Sequence, residues 1–121
     1  MYTLEDKAFY LERVKEAHAA LESIKAGVSE LEVAILSRSA ELAQGTLSDS
    51  EIAKLEADVE FADLSFMVEH MASERFHVAS VDYLDVVKAY PCAPNYDQDI
   101  AAARRVEQIA AFEFERTAEF C

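Results

Sequence analysis

Only four residues of this 121-residue chain, Gly27, Gly45, Pro91 and Pro94, can punctuate it as glycine or proline. A sheet protein needs a turn every 8–12 residues and cannot easily be assembled with so few. Helices need far fewer, and the sequence is rich in alanine, the best helix former. Two isolated glycines also exclude the phosphate-cradling loops G-x-x-x-x-G-K and G-x-G-x-x-G. The chain is therefore expected to be all-α.

The apolar rhythm places the helices. Leu4, Ala8, Leu11, Val14, His18, Leu21, Ile24, Val28, Leu31, Ile35 and Leu42 recur mostly at steps of three and four, the spacing of one helix face. Thr3 with Asp6 resembles a capping box at the start, and Gln44-Gly45 supplies the stop. A helix over about 4–44 would be roughly 60 Å long at 1.5 Å per residue. A break at Gly27, with Ser29 capping a new helix, is the alternative. The in-phase rhythm through positions 21, 24, 28, 31 and 35 favours continuity.

A second helix is expected over about 49–90. Ser48-Asp49-Ser50-Glu51 forms a full S-x-x-E box, and Ile52, Leu55, Val59, Ala62 and Phe66 keep the spacing. Past Phe61 the apolar residues spread around the helix, which predicts cover on more than one side. Ser80 is a candidate cap for a separate short helix. Pro91 and Pro94 end the element. Asn95 or Asp97 then caps a last helix over about 97–119, carrying Ile100, Ala103, Val106, Ile109, Ala110, Phe112, Phe114 and Phe120. The expected fold is a single domain over 1–121: a long antiparallel, coiled-coil-like helical hairpin with a packed C-terminal helix, three to five helices in all. Arms of this length are too slender to bury every apolar position, so a homo-oligomer, a dimer, is expected.

Twenty-four acids oppose eleven bases, giving a net charge of −13. The stretch 49–85 holds ten acids and two bases, the greater part of the excess. With Ile52, Val59 and Phe66 as one heptad row, Asp49, Glu56 and Asp63 fall on one flank of the seam. Glu51 and Asp58 fall on the other, with Glu60 further out. Such a surface repels a parallel copy of itself and attracts a basic partner. These six residues are the candidate binding residues. The expected partner is a protein with a basic surface, including one that normally binds nucleic acid. Carboxylates along a helix can stand in for phosphates, as in nuclease inhibitors and phage anti-defence proteins as a class. The plainer reading is a solvated face that keeps an apolar-rich chain soluble. Direct binding to nucleic acid or an anionic membrane is not expected from an acidic chain.

Chemistry finds little support. His70, Glu74 and His77 share one stripe, and Glu74-x-x-His77 has the ligand spacing of di-iron bundles. Those bundles need a second such motif, and His18 has no glutamate three residues before it. The trio is a weak candidate beside an expectation of no metal, no cofactor and no enzymatic activity; a helical metal enzyme ranks third among the readings. His18 is expected in the apolar seam. Phe66, Met67, Met71 and Phe76 are expected in the core, and Tyr83, Tyr90 and Tyr96 at an interface rim. No G-x-S-x-G occurs, and Cys92 lies in a proline-rich connection with no histidine nearby. Cys92 and Cys121 form no C-x-x-C and are expected to be free thiols in a reducing cytoplasm. No signal peptide and no run long enough for a membrane span are visible, so a cytoplasmic protein is expected.

Overall fold

The computed structural model describes residues 4–118. Three helices account for nearly all of them: α1 (Leu4–Ala43), α2 (Asp49–Lys88) and α3 (Tyr96–Ala118). α2 packs along both α1 and α3, so the fold is an antiparallel hairpin with a third helix laid on one end.

α1 runs through Gly27 without a break, and α2 runs through Ser80. Ser80 is fully buried inside the helix, so it caps nothing. The turns follow their local chemistry. Gly45 adopts φ +73°, and its N–H reaches the Leu42 carbonyl while the Thr46 N–H reaches that of Glu41. This is a Schellman stop, and it requires the left-handed conformation that glycine takes without strain. Three residues later Ser48 and Glu51 form a reciprocal capping box. Asn95 rather than Asp97 stands before α3, since its carbonyl accepts the Asp99 N–H. Thr3 and Phe120 lie outside the described residues.

α2 is the central element. Leu55, Ala62, Glu69, Phe76 and Tyr83 repeat every seventh residue and are all buried. The core concentrates where α3 covers the hairpin: Val14, Leu21, Phe76, Val87, Ala103 and Ala110 belong to one cluster. α3 reaches only partway along. Lys7 pairs with Asp99 near its start and Lys25 with Glu113 near its end (3.0 Å), which brings α3 to an end beside the middle of α1. Beyond that level the hairpin is two helices thick, and Val28, Leu55 and Ala62 are its only buried apolar residues among those described.

Several expected core positions are therefore bare. Phe61, Leu64, Met67, Val68 and Met71 are exposed, because α1 and α3 cover two sides of α2 and no described element covers the rest. Phe76 is buried and Phe66 half-buried as expected, but the two methionines are not core. His18 is exposed, lying over the Phe76 ring (centroids 5.1 Å apart) instead of inside the seam. Tyr83, expected at a rim, is buried in the main core cluster. Its hydroxyl is pushed above its ordinary pKa by burial and by the charge of Asp99.

Candidate functional site

The acidic stripe begins where the seat of α3 ends. On α2 the row that carries Asp49, Glu56 and Asp63 continues, seven residues at a time, to His70 and His77. Both histidines face α3. His70 stacks on Phe114 (4.9 Å, 21°), and His77 stacks on the same ring (5.7 Å, 27°). His70 Nδ1 shares a 2.9 Å hydrogen bond with Thr117 Oγ1, whose hydroxyl also lies within reach of the Glu113 and Phe114 carbonyls. His77 Nε2 donates to Glu107 Oε1 at 3.3 Å. The row is thus an α3 contact in one half of α2 and an exposed acidic edge in the other.

Two acids at the end of α3, Glu69 and Glu113, are neutralised. Glu69, 3% exposed, accepts from Arg116 Nη2 at 2.8 Å, and Arg116 also bonds Glu113 at 3.0 Å. Glu113 in turn accepts from Lys25 of α1. The network ties all three helices together. Burial alone would raise the Glu113 pKa, but hydrogen bonds and charge from Arg116 and Lys25 outweigh it and hold it below the ordinary carboxylate value. The bond to Glu69 correspondingly raises Arg116.

Acids beyond α3 are mostly left bare. Asp49, Glu56, Glu60 and Asp63 are exposed, and neither they nor Asp58 make an ion pair among the described residues. Glu51 differs from the other five. The Ser48 amide and hydroxyl bond its carboxylate, Arg38 Nη1 approaches at 2.9 Å, and these contacts hold its pKa below the ordinary value. Glu51 and Asp58 are half-buried and sit on the opposite flank of the seam from Asp49, Glu56 and Asp63. The six candidates therefore divide into an open group of four and a flanking pair, one of which is committed to the helix cap.

The metal trio does not assemble. His70 and His77 turn to α3, whereas Glu74 is exposed and lines a groove with Arg13, Glu16 and Arg75 between α1 and α2. Among the described residues no three His, Cys, Asp or Glu side chains are placed to hold a metal ion. Cys92 is exposed in the connection between α2 and α3. No described helix is long and apolar enough to cross a membrane.

The widened apolar face expected past Phe61 contains a separate row. Ala57, Phe61, Leu64, Val68, Met71 and Val78 recur at threes and fours on the side of α2 away from α3, with Arg75 filling the remaining place. The signal was present in the spacing, but it overlaps the core seam and reads as one widened apolar face until α3 is placed.

Compared with protein-family models, curated proteins and solved structures, the chain matched none.

Proposed function

We propose that this protein is a non-enzymatic acidic binding protein, a small regulator or inhibitor, that docks the bare end of its hairpin on a basic protein surface. The observation that supports it is the unpaired acidic edge at the bare end of α2. Asp49, Glu56, Glu60 and Asp63 are exposed there and make no ion pair among the described residues, whereas the buried Glu69 is matched by Arg116. Fixed unpaired charges speed encounter with an oppositely charged partner. The sharpest version is a nucleic-acid mimic of the phage anti-defence kind. The four open carboxylates Asp49, Glu56, Glu60 and Asp63 are spread over about 21 Å of axis as a row of fixed negative charge.

Capture from native lysate followed by mass spectrometry identifies the partner, and stopped-flow association then tests the surface. Replacing Asp49, Glu56 and Asp63 by Asn or Gln slows association and flattens its salt dependence. The same number of neutralisations at Glu12, Glu16 and Glu22, where bases are interspersed, does less. Equal effects from both sets would reduce the surface to net charge alone. Salt-insensitive binding untouched by either set would remove it.

The exposed apolar positions Phe61, Leu64, Val68, Met71 and Val78 favour a second reading, a structural or assembly subunit that self-associates through its long helices.

A further inference from the structure

We infer that α2 carries a second helix-packing seam, and that its occupant is α2 of a second copy of this chain, antiparallel, with the two-fold axis at Val68. This gives the self-association reading a surface and a register. The seam runs Ala57, Phe61, Leu64, Val68, Met71, Arg75, Val78 on the side of the hairpin opposite α3, about 32 Å of axis. Its five large apolar side chains are each about half exposed or more, from 48% at Val68 to 61% at Phe61.

Between this seam and α1 lie two grooves. One, ≈ 600 Å³, is lined by Ile24, Gly27, Val28 and Leu31 of α1 and by Phe61, Leu64 and Val68 of α2. The other, ≈ 520 Å³, continues it past Arg13, Ala17, Met71, Arg75 and Val78. Gly27 sits in the first, level with Val68. A Cβ at Gly27 would meet nothing within 4 Å, so the fold of one chain gives no reason for a glycine inside α1. Close approach of a second helix supplies that reason.

The charges identify the occupant. Lys54 and Asp82 lie on the seam's line, fourteen residues to either side of Val68, and Phe61 and Arg75 lie seven to either side. An antiparallel copy centred on Val68 therefore sets Lys54 against Asp82 of its partner and Arg75 over Phe61 of its partner. It also sets Leu64 beside Met71. Lys54 and Arg75 make no ion pair within the chain among the described residues. A parallel copy would instead set Lys54 on Lys54 and Asp82 on Asp82, which costs like-charge repulsion. The antiparallel arrangement also sends the two acidic 49–63 stretches to opposite ends, where their mutual repulsion is weakest.

Analytical ultracentrifugation across a concentration series, with disulfide trapping, tests the seam. The wild-type chain should reach twice the chain mass. Lys54→Asp, counted twice by symmetry, should weaken association on the order of tenfold. Adding Asp82→Lys should restore it. On a Cys92→Ser, Cys121→Ser background, Val68→Cys should form a covalent dimer under mild oxidation, and Val33→Cys, exposed but off the seam, should not. Gly27→Ala should raise the melting temperature, since alanine suits a helix and meets no neighbour, yet loosen the dimer. A dimer indifferent to Lys54→Asp and to Gly27→Ala would overturn the seam while leaving self-association through another face. A chain monomeric throughout would overturn both, and a monomer that binds a different protein through Phe61 would give the groove to that protein.

Discussion

The two ends of the hairpin are built from the same two helices, yet one is a core and the other a surface. Where α3 lies on α2, the seventh-residue rows close over Phe76, Tyr83 and Val87, and the carboxylates of Glu69 and Glu113 find arginine and lysine. Beyond α3 the rows continue unchanged in spacing, but among the described residues only Val28, Leu55 and Ala62 are buried, and four acids stand in solvent with no ion pair. Helix formation is therefore not what separates the halves. The difference is a third helix, and it shows that periodicity marks which residues can be covered while a non-local neighbour decides which are.

Large core truncations should break this comparison most visibly. Phe76→Ala, at 2% exposure under α3, is expected to cost about 3–5 kcal/mol in urea unfolding. Leu55→Ala should cost about 2 kcal/mol, because the thinner end lets water reach its surroundings. Equal costs would mean that the bare end is packed as well as the covered one, and amide exchange should independently show residues 30–68 opening first.

The ionic network comes next. Arg116→Met leaves Glu69 buried beside no cation and should cost about 2 kcal/mol, less than a fully buried pair because Arg116 is itself partly exposed. The pH dependence follows from the lowered Glu113 pKa. A carboxylate whose folded value lies below its unfolded one stabilises the fold above the unfolded value, and that stability drains as pH falls through the folded value. Wild-type stability should thus decline as pH falls below the ordinary carboxylate value, more steeply than in Glu113→Gln. Matched slopes would place the acid sensitivity outside this network.

Smaller effects sharpen the comparison within one row. Ser73 and Ser80 are both fully buried in α2. The Ser73 hydroxyl donates to the Glu69 carbonyl at 3.0 Å, while Ser80 Oγ has no partner among the described residues. Ser80→Ala should raise stability by about 1 kcal/mol and Ser73→Ala should lower it by up to about 1. The least effect is expected at the bare end, where replacing Asp49, Glu56 and Asp63 by their amides should change stability by within about 0.5 kcal/mol.

The sequence by itself determined the local structure. Scarce glycine and proline, the Ser48–Glu51 box, Gly45 and the Pro91–Pro94 connection are short-range signals, and the helix ends on either side of the two connections fall within three residues of them. The acidic excess of 49–85 was equally legible, because charge is additive along a chain. Burial was not. Met67 and Met71 are apolar at helical spacing and face solvent; Tyr83 is amphipathic and lies in the core; His18 holds a seam position and rests outside it on Phe76. Each outcome turns on where α3 lies against α2, a contact between segments some forty residues apart that three-four spacing does not encode. His70 and His77 show the same limit, since they share a stripe with Glu74 in sequence and part from it once Phe114 offers both rings a stacking partner. A helix's periodicity is a property of its own backbone, whereas the choice of which apolar stripe becomes core belongs to the neighbour that covers it.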